Sequence, residues 1–370
     1  MASTEWYIID NVDELDTPAL VVYPDRVRYN IALVKTMIDD VDRLRPHVKT
    51  HKSREVSELM IGAGITKFKC ATIAEAEMLG MAAAPDVLLA YQPNGPKLKR
   101  LLQLVKAYPQ TAFSCLVDNQ ETAIAISAAA QANKIIILVY IDLNIGMNRT
   151  GIVPAEALTL YGAIAQLPGI KILGLHAYDG HIHDSDYSIR EQRSEESFAP
   201  VLKLADEIMD KGYPKPIVIA GGSPTFPILA KRKEMECSPG TFAYWDRGYQ
   251  HAFTEQPFKT AALVIARIIS LPDDGKICID VGHKSVSAEN ELNRRIHFLN
   301  APELKFISQS EEHLVADAGP DHQYKIGDIL YGLPYHICPT VALYERAITI
   351  EDYVISGEWK TTARDRKITI

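Results

Sequence analysis

The sequence predicts an α/β protein: eight strand–helix units that fit a closed (β/α)8 barrel, followed by a smaller, mostly antiparallel β domain. An open doubly wound sheet is the other arrangement those units allow. Three observations lead there. Short apolar runs recur between segments of helical periodicity, and they are continuous rather than alternating, as in a parallel sheet covered on both faces. From about residue 258 the rhythm changes to alternating runs separated by turns, with no good helix between them. A lysine, Lys49, closes the second apolar run, at the strand end where β/α folds assemble their sites.

Taken in order, the first run is residues 19–23, followed by a helical segment over 31–38 and a second strand that ends at Lys49. Runs at 68–72, 86–90, 112–117, 135–140, 172–177 and 217–220 complete the eight. Helical spacing fills 73–81, 96–108, 119–133, 154–166 and 194–211. Alternating runs at 261–269, 276–281, 312–316, 329–332 and 347–350 form the β domain. The division is therefore a barrel over 15–257 and a β domain over 258–370, which residues 1–14 are free to join.

At 370 residues the chain exceeds what one growing core accommodates, so two domains agree with its length. A net charge of -8 argues against nucleic acid as a partner, because phosphate binding needs a basic face. No run of 18 apolar residues offers a membrane span. The start, Met1-Ala2-Ser3-Thr4-Glu5-Trp6, lacks the basic and apolar regions of a secretion signal. Five widely spaced cysteines suit a reducing compartment better than a disulfide framework. A soluble, cytoplasmic protein is the expectation.

Chemistry concentrates in a few loops. Arg45-Pro46-His47-Val48-Lys49-Thr50-His51-Lys52 crowds cations around Lys49, and burial beside cations would make that amine a nucleophile. A basic surface loop is the plain alternative. Gly221-Gly222-Ser223-Pro224-Thr225 ends the last of the eight strands, and Ser238-Pro239-Gly240-Thr241 follows. Glycines with hydroxyl neighbours at such strand ends let backbone N–H groups approach a phosphate. His336-x-Cys338, read as a β segment, would turn both side chains to one face, where imidazole and thiolate either pack or bind a borderline divalent ion. Tyr244-Trp245-Asp246 reads as packing at the domain junction.

Together these motifs resemble the fold-type III pyridoxal phosphate enzymes, specifically the D-threonine aldolase and eukaryotic-type D-serine dehydratase group. Thr17-Pro18-Ala19-Leu20, the Arg45 to Lys52 octapeptide, Gly146-Met147-Asn148-Arg149-Thr150-Gly151 and Ser238-Pro239-Gly240-Thr241 carry the likeness. So do Ser310-Glu311-Glu312-His313 and His336-Ile337-Cys338-Pro339-Thr340, in one order over residues 15–350. The resemblance implies an alanine racemase-like barrel with an appended β domain, assembled as a homodimer. It assigns Lys49 to the Schiff base with pyridoxal 5'-phosphate, Arg149 to the cofactor's phenolic oxygen and Tyr178 to a loop facing its ring. Gly222, Ser223, Gly240 and Thr241 correspond to phosphate contacts. His336 and Cys338 correspond to ligands of a divalent metal, zinc or else manganese, magnesium or cobalt.

The implied activity is a lyase acting on small β-hydroxy D-amino acids. D-threonine aldolases tend to carry aspartate where this chain has Cys338, and D-serine dehydratases cysteine. The loop Ala177-Tyr178-Asp179-Gly180, followed by His181 and His183, instead looks like the aldolases, and those histidines are candidate bases. Cleavage of a D-threonine-type substrate to glycine and an aldehyde is therefore preferred. Conversion of D-serine to pyruvate and ammonia is the alternative, ahead of an amino-acid racemase or a non-catalytic cofactor-binding protein.

Overall fold

The computed structural model describes residues 5–370, so the Met1-Ala2-Ser3-Thr4 start of the signal reading lies outside the described residues. In chain order come β1 (Ala19–Val22), α1 (Pro24–Thr36), α2 (Arg54–Gly62), β2 (Lys67–Cys70), α3 (Ile73–Met81) and β3 (Asp86–Leu89). Next are α4 (Pro96–Ala107), β4 (Ala112–Val117), α5 (Gln120–Ala132), β5 (Ile137–Leu143), α6 (Pro154–Ile164) and β6 (Ile170–Ala177). Then follow α7 (Tyr187–Asp210), β7 (Ile217–Ala220), α8 (Phe226–Leu229), β8 (Met235–Cys237) and α9 (Arg247–Ala252). The remainder is β9 (Ala262–Asp273), β10 (Lys276–Ile279), β11 (Ile296–Phe298), β12 (Lys305–Gln309) and β13 (Leu314–Asp317). Last are β14 (Ile329–Pro334), α10 (Ile337–Val341), β15 (Arg346–Glu351) and β16 (Val354–Lys360). The chain divides into two compact units, one of residues 33–49, 57–240 and 365–370, the other of residues through 32, 50–56 and 241–364.

The first unit is the parallel barrel. Its sheet runs β2-β3-β4-β5-β6-β7-β8, each strand parallel to the next. The segment around 44–48 closes it. Leu44 bridges Cys237 and His47 bridges Lys69, with Arg45 N donating to Cys237 O at 2.8 Å and Lys69 N to Pro46 O at 2.8 Å. Helix starts are written locally. Thr72 and Asn119 accept from Glu75 N and Thr122 N, and α4 and α6 begin with proline, whose missing N–H costs nothing there. Leu88, Leu116, Tyr140 and Ile219 fill the interior. Arg45 is fully buried there, paired with Glu236 at 2.8 Å and with both oxygens of Asp86 at 2.6 and 3.0 Å.

Two expectations need correction here. Residues 19–23 are not a barrel stave: β1 pairs antiparallel with β9 and parallel with β15. The eighth stave is β8, three residues, Met235-Glu236-Cys237, in which a charged residue interrupts the apolar run. Lys49 therefore follows the first stave rather than the second. The two glycine turns follow β7 and β8, the staves after which barrels commonly bind phosphate.

The second unit is a nine-stranded sheet of order β12-β13-β10-β9-β1-β15-β16, to which β14 adds by pairing with β9 and β11 by pairing with β14. All of its pairings are antiparallel except that of β1 with β15. Tyr7, Ile9, Val21, Leu263, Ile265 and Leu333 belong to its core. One short helix, α10, interrupts what the sequence read as helix-free beyond residue 258. Among the described residues no helix is long and apolar enough to cross a membrane.

Candidate active site

Within the barrel unit, a pocket is lined by Lys49, Lys69, Asp142, Arg149, His176 and Tyr178, among others. The Tyr178 ring gathers three cations. Arg149 Cζ, Lys69 Nζ and Lys49 Nζ stand 5.0, 5.5 and 6.0 Å from its centroid, within cation–π reach. The burial expected at Lys49 falls elsewhere: Lys49 is exposed, and Lys69 is the lysine enclosed by the barrel. Lys69 Nζ lies 3.4 Å from His176 Nε2, and His176 Nδ1 lies 2.7 Å from Asp142 Oδ1. Sequence reasoning passed over this trio. A lysine in the run Phe68-Lys69-Cys70 and a histidine in Leu175-His176-Ala177 are costly residues inside buried strands, and that cost was the available signal.

Arg149 is presented by a folded loop. Asn144 Oδ1 accepts from Gly146 N at 3.1 Å and Asn148 N at 3.0 Å, and Gly151 N donates to Asp118 at 3.1 Å. A Cβ on Gly146, at φ +124°, would stand 2.5 Å from His181 Nε2, so only glycine lets that imidazole lie against the loop. Burial is the main cause holding the His181 imidazole below its ordinary value, and its Nδ1 is buried without a partner. His183 is exposed, with Nδ1 3.1 Å from the His181 carbonyl oxygen. Of the two candidate bases, His181 is the enclosed one.

The turns after β7 and β8 are adjacent. Ser238 N donates to Gly221 O at 2.9 Å, and Gly240 N donates to Ser223 Oγ at 3.2 Å. Gly222 N donates to Asp179 Oδ1 at 3.2 Å, and Thr225 Oγ1 also donates to that carboxylate. Burial raises the Asp179 pKa, and these donors oppose the rise. Ser238 adds a buried hydroxyl with no partner in the described protein. A Cβ on Gly240 would meet His47 O at 2.7 Å, so this glycine is required by the fold itself. Pyridoxal phosphate fits what the barrel unit presents: an amine, an aromatic face, a guanidinium, and paired turns containing an unsatisfied hydroxyl donor.

In the β unit, His336 and Cys338 do not form the β segment assumed from sequence. His336 precedes α10 and Cys338 lies in its first turn. Their side chains still interact. Burial works to lower the His336 imidazole, but Cys338 and Glu289, helped by Asp246, outweigh it and push it up to about 9. Glu289 pairs with His336 Nδ1, the arrangement that orients a ligating histidine. Asp246, expected only to pack, caps α9 through Tyr249 N at 2.9 Å and receives Ile337 N at 3.0 Å, between the two candidate ligands. Cys338 Sγ lies 3.1 Å from Thr50 Oγ1 and 4.0 Å from Thr241 Oγ1. Among the described residues no three His, Cys, Asp or Glu side chains converge as a complete ligand set. Imidazole and thiolate therefore fit only an open two-ligand site, with the chemistry zinc accepts.

Comparison with known proteins agrees with this fold. Residues 22–248 match the family described as alanine racemase, N-terminal domain, and residues 261–350 match the putative serine dehydratase domain. The chain is 28% identical over 368 residues to a D-threonine aldolase of Arthrobacter sp., covering 96% of this chain and 94% of that one. It is 27% identical over 361 residues to a D-threo-3-hydroxyaspartate dehydratase of Delftia sp. strain HT23, covering 90% and 94%. The crystal structure of D-threonine aldolase from Filomicrobium marinum superposes with a TM-score of 0.85 at 26% identity, over 98% of this chain and 99% of that one.

Proposed function

The chain belongs to the alanine racemase N-terminal domain family, and from that premise we propose a pyridoxal phosphate-dependent lyase that cleaves β-hydroxy D-amino acids of the D-threonine type to glycine and an aldehyde. The observation that carries the reading is the meeting of Lys49, Arg149 and Tyr178 in one pocket at the barrel's strand ends. The likeness to D-threonine aldolases over nearly the whole chain supports it.

Bound pyridoxal phosphate supplies an electron sink for a bond at the substrate's Cα. Lys49 would supply the amine that holds it, Arg149 a cation for its ring oxygen, and Tyr178 an aromatic face. Gly222, Ser223, Gly240 and Thr241, joined by Ser238, would hold its phosphate. His181, kept neutral by burial, accepts the β-hydroxyl proton so that the Cα–Cβ bond can break. A divalent ion held by His336 and Cys338 would supply a Lewis acid. A homodimer in the cytoplasm completes the reading, and five cysteines outside any disulfide suit a reducing compartment.

Cys338 favours the second reading, dehydration of D-serine to pyruvate and ammonia, in which Lys49 takes the α-proton. Incubating the purified protein with D-threonine and with D-serine separates the two. Glycine with acetaldehyde from D-threonine is the expected result. Ammonia with a keto acid, and no glycine, would replace the aldolase by the dehydratase.

A further inference from the structure

The proposed mechanism leaves one buried amine of the ring pocket without a task. Lys69 is 3% exposed, yet it lines the same pocket as Lys49 and stands closer to the Tyr178 ring, at 5.5 against 6.0 Å. Its register partner His47 anchors it opposite the first stave. On the other wall, His176 and Asp142 are themselves register partners on β6 and β5. Asp142 Oδ2 receives Gln92 Nε2 at 2.8 Å while Oδ1 faces His176 Nδ1 at 2.7 Å. A carboxylate there fixes the histidine tautomer: Nδ1 carries the hydrogen and Nε2 presents a lone pair to Lys69, 3.4 Å away.

That geometry has a consequence for proton traffic. An ammonium and a neutral amine both have an N–H to give to the His176 lone pair. Lys69 can therefore change protonation state without its neighbours rearranging. We propose that Lys69 is a second acid–base group of the ring pocket, positioned by His176 and Asp142, which exchanges one proton with the reacting centre. The inference rests on the reading that Lys49 carries the cofactor. In the forward step the Lys69 ammonium loses one proton to a substrate atom and becomes the amine. Water then returns a proton to it, so the step needs no redox partner.

The charges facing Lys69 are balanced for this. Burial, then Lys49, with a smaller part from Arg45, disfavour the cation, while Asp179 and Asp142 favour it, and the amine is brought down to about 7. Burial and the nearness of Lys69 hold His176 low, so the imidazole stays neutral. Hydrogen bonds from His176, Thr150 and Gln92 outweigh burial and hold Asp142 low, so it stays anionic. Arg149 adds a cation beside Tyr178.

The test uses the holoenzyme with isotopically labelled lysine side chains, followed by NMR across a pH titration, with Lys69→Arg to assign the resonance. Lys69 is expected to titrate within roughly one unit of neutrality, far from exposed lysines at about 10.4. Lys69→Met should keep the visible absorbance of lysine-bound cofactor while lowering kcat by about 10²–10⁴, the usual range for an acid–base group, with KM little changed. The pH–rate limb near neutrality should vanish in Lys69→Met and move in His176→Gln. The proposal is overturned if Lys69 titrates with the exposed lysines, or if Lys69→Met keeps both the limb and most of its turnover. A wild-type protein that shows no lysine-bound cofactor overturns the proposed function itself, which the same spectrum reports separately.

Discussion

Replacing Arg45 by Met tests how the barrel holds the stave that ends in Lys49. The substitution keeps most of the side-chain volume and deletes a fully buried cation facing Glu236 and Asp86. Removing one partner of a buried pair costs about 3–5 kcal/mol, because the other charge is left without compensation. Two features place Arg45→Met at the lower end. Asp86 is 31% exposed and can rehydrate, and Glu236 keeps its ion pair with Lys67. A loss of about 3 kcal/mol is therefore expected, roughly a 100-fold shift of the folding equilibrium. Urea denaturation followed by far-ultraviolet circular dichroism measures it, since Trp6, Trp245 and Trp359 all lie in the β unit and report poorly on the barrel. Adding Glu236→Gln to Arg45→Met removes the buried anion that Lys67 alone then offsets, leaves the partly exposed Lys67 to rehydrate, and should recover on the order of 1 kcal/mol or more. A loss below about 1 kcal/mol for Arg45→Met, or a further loss from the second substitution, would refute the reasoning.

The two glycine turns should separate cofactor binding from folding. A Cβ on Gly222 meets nothing closer than 3.6 Å, so Gly222→Val should fold normally yet bind pyridoxal phosphate at least tenfold more weakly by equilibrium dialysis. Gly240→Ala should instead lose about 1–3 kcal/mol of stability by urea denaturation, its Cβ pressed against the His47 carbonyl. Cys338→Ser should weaken zinc binding, measured by chelator competition, by at least tenfold, with denaturation and cofactor absorbance unchanged. Activity that survives exhaustive chelation would remove the metal from the reading. Burial holds His181 below the ordinary histidine value of about 6.5, so activity should persist as pH falls past that point and drop only when the imidazole gains its proton. His181→Gln should abolish that acid limb and cost about 10²–10³ in kcat, whereas His183→Gln should leave both within a few-fold.

The features legible in the sequence were those enforced locally. Continuous apolar runs separated by capped helices identify parallel staves, because a stave buried on both faces tolerates few polar residues, and β3 to β7 follow that rule. The same rule misassigned β1. Its Ala-Leu-Val-Val run is buried at every position, as a barrel stave would be, but it lies between β9 and β15 of the other sheet. Local pattern reports burial on two faces and is silent about which sheet supplies the neighbours. β8 failed for the opposite reason. Glu236 stands in the middle of a three-residue stave, and only Arg45 and Lys67, distant in sequence, make its burial tolerable. Lys69 follows the same logic within the site. Read alone, Phe68-Lys69-Cys70 is a blemished strand, and its chemistry appears when β5 and β6 bring Asp142 and His176 into register with each other. Lys49 was visible because its motif is contiguous, whereas Lys69, Asp142 and His176 form a group only through the closure of the barrel. A charged side chain that interrupts an apolar stave is thus a sequence signal in its own right. It requires a distant partner to offset its burial, and in a barrel that partner is supplied by the strands facing the same interior.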